Sequence, residues 1–251
     1  MNQTPKTSAE ARPQLLECAN AGDAGAQYEM WGLLSRSAKD TDDQVAAEEW
    51  LKKAAEQGFA DAEFEYGKCF DDGDGFPNES AGWYRKAAAK GHADAQYELG
   101  LCYASRYYST DFELVDVEDR TRRALTWITK AAQQGHPEAQ HMLGEIYLDA
   151  VDGLATGRIV NHQEACIWFR KAAEQGVVCA QVRLASLYID GHGVPQNFAE
   201  AYYWLNIAAA LRHTDEIILK RDEAANKLPQ HEVVAAQIRA TSWFDEHQGS
   251  E

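Results

Sequence analysis

The sequence predicts an all-α protein, an α/α solenoid of about five stacked helical hairpins. Two phrases recur in register. The first occurs as EEWLKKAAEQG, AGWYRKAAAKG, LTWITKAAQQG and CIWFRKAAEQG. The second follows as DAEFEYGKCF, DAQYELGLCY, EAQHMLGEIY and CAQVRLASLY, always twelve residues from the tryptophan to its first alanine. Because the interval back to the next tryptophan varies from 21 to 32 residues, the unit is a hairpin with one rigid and one elastic turn.

The first phrase has the pattern of a helix with a defined end. Trp50, Ala54 and Ala55 fall at i, i+4 and i+5, which predicts an apolar stripe of one large and two small residues. The glycine that closes each phrase is expected to end the helix in the left-handed conformation, since glycine has no Cβ to clash. These glycines are Gly58, Gly91, Gly135 and Gly176.

The second phrase also predicts an amphipathic helix. Ala95, Leu99, Cys102 and Tyr103 occupy i, i+4, i+7 and i+8, one face of a helix. Glycines within this phrase predict close contact between helices, at Gly67, Gly100 and Gly144. A hairpin of this size cannot bury its apolar face alone, so the hairpins are expected to stack on one another.

These phrases resemble a known repeat. The pattern A-Q-x-x-L-G-x-x-Y, the G-x-G-V-P turn that begins at Gly191, and A-x-x-W-x-x-K-A-A-x-x-G together resemble the Sel-one-like repeat, a relative of the tetratricopeptide repeat. The resemblance covers the units 24–58, 60–91, 93–135, 137–176 and 178–211. It implies a right-handed superhelix, a concave groove lined by the first helix of each unit, and a role in protein–protein interaction.

The repeats imply a division of the chain. We expect a flexible N-terminus at residues 1–8 and a solenoid with an additional N-terminal helix at residues 9–211. Two capping helices are predicted within residues 212–247, with a tail at 248–251, because an open end of a solenoid needs a polar cover. Trp243 and Phe244 are predicted to close the core.

Composition and charge restrict the function. No stretch approaches the roughly 18 apolar residues that span a bilayer, and the N-terminus lacks the apolar segment of a secretory signal, so we expect a cytoplasmic protein. Forty acidic against 24 basic side chains give a formal charge of −16, which disfavours nucleic acid and membrane surfaces and favours a protein partner with a basic or mixed basic and apolar surface. Five cysteines without a C-x-x-C pair predict reduced, buried thiols and no structural zinc site.

The first helices carry the main candidate binding residues. One column of the repeat holds Tyr28, Phe64, Tyr97, His141 and Val182, and the next holds Glu29, Glu65, Glu98, Met142 and Arg183. An aromatic stripe beside a carboxylate stripe suits an extended or helical segment that carries Lys or Arg between apolar anchors. The alternative is that the aromatic residues pack against the neighbouring unit and the glutamates are solvated.

A long insert is the second candidate. Residues 104–121 contain Tyr107, Tyr108 and Phe112 among acidic side chains. Aromatic residues in such a loop either contact a partner or fold back onto the solenoid.

The sequence gives little support for a metal site or a catalytic site. The run of Asp and Gly at residues 71–75 has carboxylates at the spacing of a calcium loop but lacks its glutamate at the twelfth position, so it is interpreted as a turn. His162 and Cys166 are four residues apart, which permits a Cys–His pair, but no third orienting group is identifiable. We therefore expect no catalytic activity, no cofactor and no metal.

The sequence favours a protein–protein interaction scaffold or adaptor, similar to bacterial members of the repeat family. The alternative is an immunity or inhibitor protein whose acidic surface occludes a toxin or an enzyme. The sequence identifies neither the partner nor the oligomeric state.

Overall fold

A computed structural model describes residues 8–38, 41–70, 77–104, 117–148 and 160–247. These residues form thirteen α-helices and no strand, which confirms the predicted all-α solenoid. The chain divides into two compact units, Met1–Trp127 and Ile128–Glu251.

Unit 1 contains six helices and the first part of a seventh. Its helices are α1 (Ser8–Asn20), α2 (Ala24–Ser37), α3 (Thr41–Glu56), α4 (Ala60–Lys68), α5 (Pro77–Ala89), α6 (Ala93–Ala104) and the start of α7 (Val117–Gln133). From α1 to α6, each helix packs on the next one along the chain. The helices α2, α4 and α6 are the first helices of their hairpins, and α3 and α5 are second helices.

Unit 2 contains the rest of α7 and six further helices. They are α8 (Pro137–Tyr147), α9 (His162–Glu174), α10 (Val178–Asp190), α11 (Phe198–Leu211), α12 (Asp215–Ala225) and α13 (Gln230–His247). From α8 to α12 each helix packs on the next, and α13 returns to pack on α11. The aromatic side chains of Trp243 and Phe244 join the core of this unit, as predicted. The predicted division of the chain at residue 211 stays a prediction.

The short turns from each second helix to the next first helix have the predicted glycine geometry. Gly58, Gly91, Gly135 and Gly176 have φ between 85° and 98°, the left-handed region that a side chain disfavours. Each glycine lets the chain leave one helix and begin the next within three residues, which explains the fixed interval between the two phrases.

The predicted stripe holds for its two alanines, which are buried, but the tryptophan packs at the edge of the core rather than at its centre. Trp50, Trp83, Trp127 and Trp168 are half-buried, whereas the residue after each of them is completely buried. These buried residues are Leu51, Tyr84, Ile128 and Phe169. Leu51, Ala54 and Ala55 stand at i, i+3 and i+4, a tighter helical stripe than the one centred on Trp50. The tryptophans instead flank the core, and Lys86 lies over the ring of Trp83 at 3.4 Å from its centroid.

Close packing on a glycine of the first helix is confirmed at Gly67 and Gly144, and the contact predicted at Gly100 stays a prediction. A Cβ on Gly67 would lie 2.8 Å from the Tyr84 ring, and a Cβ on Gly144 would lie 2.6 Å from the Phe169 ring. The buried aromatic residue of each following second helix therefore sits directly on a glycine backbone.

A column of buried glutamines links the first helix of a hairpin to the helix that precedes it in the chain. Each side chain donates through Nε2 to the carbonyl of the alanine eight residues earlier, at 3.0 to 3.2 Å. The column consists of Gln27, Gln96, Gln140 and Gln181. Because these amides satisfy carbonyls at helix ends, they hold the turn without leaving a buried acceptor unpaired.

Candidate functional site

The predicted aromatic column in unit 1 lies on three successive first helices. Tyr28, Phe64 and Tyr97 are on α2, α4 and α6, and each is half-buried. The Phe64 ring stacks on His92 with 4.7 Å between centroids and tilts against Tyr84 at 5.7 Å. The column therefore packs partly on the next hairpin and keeps part of its surface in solvent.

Tyr28 begins this column and borders an open cleft. Its ring lies 5.1 Å from Trp31 and 5.3 Å from Phe59, centroid to centroid. Tyr28, Trp31 and Glu29 line a cleft of about 540 Å³ between α1 and α2. The cleft wall is mainly apolar and has an exposed carboxylate at Glu29.

The predicted carboxylates lie beside these rings. Glu29 is exposed, and Glu65 and Glu98 are half-buried on α4 and α6. The pKa of the Tyr28 phenol is raised, first by burial and then by the negative charges of Glu65 and Asp61. The aromatic and acidic columns of α2 and α4 are thus close enough to interact electrostatically.

Glu65 already has a cation nearby. Lys68 donates to its carboxylate at 3.0 Å, and the ammonium lies 5.5 Å from the centroid of the Phe64 ring. About half of the Lys68 side chain is exposed, and an exposed ion pair of this kind contributes roughly 0 to 1 kcal/mol.

In unit 2 different residue types occupy the aromatic and acidic positions of the repeat. His141 lies 5.7 Å from Phe169 by ring centroids, and Val182 packs against the core of unit 2. The position that carries Glu in unit 1 carries Met142 on α8 and Arg183 on α10. His141 is on α8, and both carboxylates and cations surround it, so its role in partner binding stays a prediction.

A groove of about 480 Å³ surrounds His141 in unit 2. It is lined by α8, α10, α12 and the turn between α11 and α12. Glu145 in this groove accepts from Arg183 Nε at 2.6 Å and lies 3.5 Å from His141 Nε2. Burial lowers the pKa of His141, although the negative charge of Glu145 opposes this shift. Arg212 and Lys220 also line the groove, and the repeat pattern gave no signal for either, because they lie beyond the last repeated phrase.

The structure does not test the insert. Tyr107, Tyr108 and Phe112 lie outside the described residues, as does the Asp and Gly run at residues 71–75. Contact of the insert with a partner, and the interpretation of the run as a turn, stay predictions.

His162 and Cys166 are not arranged as a nucleophilic pair. The His162 ring stacks on His192 with 4.9 Å between centroids, while the Cys166 thiol lies 3.5 Å from the His192 carbonyl oxygen. Burial raises the pKa of the Cys166 thiol, which is opposite to the shift that a nucleophilic cysteine requires.

The cysteines differ from the expectation in one respect. All five lie in the described part of the chain and none forms a disulfide, but only Cys102 and Cys166 are buried. Cys18, Cys69 and Cys179 are exposed, so the prediction of buried thiols was wrong for these three. Within the described ranges no group of three or more His, Cys, Asp or Glu side chains could hold a metal ion. None of the helices described is long and apolar enough to cross a membrane.

Stacked helical hairpins with half-exposed side chains along their first helices define an α-solenoid repeat protein. The chain belongs to the Sel1 repeat family, whose repeat matches residues 33–59, 60–92, 93–136, 137–177 and 180–213. These five matches follow the predicted units closely and cover most of the chain. No curated protein matches the chain.

Solved structures share the fold. The chain is similar to a protective antigen present in uropathogenic Escherichia coli strains that displays an SLR fold, with 28% identity and a TM-score of 0.77 over 96% of this chain and 50% of that one. It is also similar to a Sel1 repeat protein from Oxalobacter formigenes, with 24% identity, a TM-score of 0.55 and coverage of 93% of this chain and 66% of that one. A third similar structure is a putative sel1 repeat protein from Klebsiella pneumoniae subsp. pneumoniae, with 23% identity and a TM-score of 0.50 over 84% and 98% of the two chains. The chain thus spans about half the length of the first of these proteins and two thirds of the second.

Proposed function

We propose that the protein is a non-enzymatic interaction scaffold that binds a protein partner along the first helices of unit 1. The observation that carries the proposal is the recurrence of a half-exposed aromatic ring next to a carboxylate at one register of α2, α4 and α6. Aromatic side chains give large contact area at low entropic cost, and adjacent charges set specificity. Sel1 repeats generally mediate protein–protein interactions, which is consistent with this assignment.

The chemistry of the surface favours a basic or mixed basic and apolar partner. Tyr28, Phe64 and Tyr97 offer apolar contact, and Glu29, Glu65 and Glu98 offer acceptors for Lys or Arg. The formal charge of −16 opposes binding to phosphate backbones or anionic lipid. The insert with Tyr107, Tyr108 and Phe112 is a second proposed contact.

A reducing compartment such as the cytoplasm suits the thiols. Cys18 and Cys179 are exposed and form no disulfide. Exposed thiols are prone to oxidation in secreted proteins and are tolerated in the cytosol.

Charge reversal on the first helices tests the proposal. The partner would be recovered from the native host by affinity capture on the intact chain and identified by mass spectrometry. Its affinity for the Glu65→Lys/Glu98→Lys variant would then be measured by titration calorimetry. We expect a loss of roughly tenfold or more, since each cation of the partner would face a like charge.

A matched control is available on a second helix. Glu48 and Glu49 are exposed on α3, so Glu48→Lys/Glu49→Lys makes the same change in net charge away from the first helices. The control is expected to retain most of the affinity, and circular dichroism would establish that both variants fold. Equal affinities for the two variants would refute binding along the first helices.

A further inference from the structure

The groove of unit 2 differs in charge from the rest of the molecule. Three cations line it, Arg183, Arg212 and Lys220, against two carboxylates, Glu145 and Glu216. The chain as a whole has 40 acidic and 24 basic side chains, so a groove with one more cation than anions is a local reversal. Such a reversal attracts negative groups that the remaining surface repels.

Both carboxylates of the groove are already neutralised within it. Glu145 accepts from Arg183 at 2.6 Å, and Glu216 accepts from Lys220 at 2.9 Å. The pKa of Glu216 is lowered, chiefly by its hydrogen bond from Lys220, so this carboxylate is ionised and paired near neutral pH. The two pairs leave the charge of Arg212 unbalanced.

Arg212 follows the last residue of α11 and is exposed. Among the residues that the structure describes, no carboxylate pairs with its guanidinium. A guanidinium binds a carboxylate through two parallel hydrogen bonds, which makes it more selective for this group than an ammonium.

Apolar side chains lie beside the cations. Val178 and Val182 of α10 are half-buried, and Ile217 of α12 is buried, and all three line the groove. The volume of about 480 Å³ is within the range of concave ligand-binding sites.

We propose that this groove binds a segment of a protein partner that presents an aliphatic side chain next to a carboxylate. The aliphatic group packs on Val178, Val182 and Ile217, and the carboxylate pairs with Arg212. The site rests on unit 2 alone and has the opposite charge preference to the first-helix surface of unit 1. The two surfaces therefore select different segments.

Selection from a display library of random short peptides on the intact chain tests the site. We expect enrichment of peptides with Asp, Glu or a free C-terminal carboxylate within a few residues of Leu, Ile or Val. An enriched peptide, made synthetically with a fluorophore, should bind the Arg212→Glu variant roughly tenfold or more weakly, because a charge-assisted pair is replaced by repulsion. Arg212→Lys should retain part of the affinity.

Two controls locate the binding. Lys227 is exposed and follows α12 outside the groove, so Lys227→Glu makes the same change in charge and should leave binding unchanged. Cys179 lines the groove, whereas Cys18 lies in unit 1. Bound peptide should slow alkylation of Cys179 and leave that of Cys18 unaffected, as read by mass spectrometry.

The outcomes separate this site from the surface in unit 1. Glu65→Lys/Glu98→Lys should bind the peptide as the unaltered chain does. Enrichment of peptides without a carboxylate, no enrichment at all, equal binding by Arg212→Glu, or unchanged alkylation of Cys179 would each overturn the proposal.

Discussion

Lys90, which follows α5, donates to Glu63 Oε1 on α4 of the same hairpin at 2.7 Å, and the same ammonium donates to the Gly58 carbonyl at 2.7 Å. Glu63 is 3% exposed and stands at the position of the buried glutamine column. A carboxylate cannot donate to the alanine carbonyl that the glutamine amides satisfy. Lys90, at the end of the second helix of the same hairpin, pairs with the buried carboxylate instead.

Two further pairs occupy the same two positions. Gln57 donates to Gln27 Oε1 at 2.7 Å, and Gln175 donates to Gln140 Oε1 at 2.8 Å. The position seven residues after the tryptophan thus reaches the buried polar group on the first helix of the same hairpin. These contacts join the two helices of a repeat and contribute to the stability of each repeat.

The Glu63–Lys90 pair gives the first prediction. Lys90→Ala leaves a buried carboxylate without its partner and is expected to destabilise the chain by about 1 to 3 kcal/mol. Glu63→Gln replaces the charge by an amide that can donate to the Ala55 carbonyl, so it should be neutral or stabilising. Urea denaturation of both variants and of the double variant would measure the coupling.

The double variant is the decisive comparison. In the Glu63→Gln background, Lys90→Ala should cost less than half of what it costs in the unaltered chain, since no buried charge remains. An equal cost in both backgrounds would show that Lys90 acts independently of Glu63.

The last repeat lacks the polar residue seven positions after its tryptophan that contacts the buried polar group in the other pairs. Gln181 is completely buried and its Oε1 has no hydrogen-bond partner among the residues described, because the position seven after Trp204 is Leu211. Leu211→Gln is expected to be more stable than the shape-matched Leu211→Met by about 1 kcal/mol, the net contribution of one hydrogen bond. Thermal and urea denaturation would measure it. If the Gln variant were no more stable than the Met variant, the pairing of these two positions would not extend to the last repeat.

The glycine turns between successive hairpins give a third prediction, which separates backbone conformation from packing. Gly91 has φ of 96°, and a Cβ added there would meet no other atom within 4 Å, so Gly91→Ala should cost about 1 to 2 kcal/mol from the left-handed conformation alone. Gly82 lies inside α5 with similarly open space and is the matched control. Gly82→Ala should stabilise by up to about 1 kcal/mol through helix propensity. A stabilising Gly91→Ala, measured by urea denaturation, would contradict the assigned turn.

His141 predicts a dependence of stability on pH. Burial lowers its pKa below the ordinary value of 6.5, and Arg183 lowers it further, while Glu145 and Glu138 oppose the shift. The unfolded chain therefore binds a proton more readily, and this contribution to stability is complete above pH 6.5 and is lost as the pH falls below it. The His141→Gln variant should lose less stability on acidification, as measured by urea denaturation above and below this pH. Identical pH profiles of stability for the variant and the unaltered chain would exclude His141 as a source of the pH dependence.

Sequence periodicity predicted the hairpins because their turns and helix faces are local features. The glycine of each W-x-x-K-A-A-x-x-G phrase ends its helix through its own left-handed backbone conformation, which is a local property of the sequence. The tryptophan was misplaced because a large apolar residue was taken as the centre of the stripe. Leu51 with Ala54 and Ala55 has the better helical spacing and could have been recognised from the sequence alone.

Local sequence patterns could not predict the polar contacts between helices or the groove of unit 2. Glu63 and Lys90 are 27 residues apart, and only the packing of α5 on α4 brings them together. Arg212 and Lys220 belong to no repeated phrase, and the path of the chain after α11 places them beside Arg183. The change from Glu98 to Arg183 within one column was visible in the sequence, but without the groove it indicated no site.

Hydrogen–deuterium exchange of the chain with and without its captured partner tests the proposed function most directly. Binding along the first helices predicts slower exchange in α2, α4 and α6, with α3 and α5 little changed. Protection confined to α3 and α5, with exchange in α2, α4 and α6 unaltered, would contradict it.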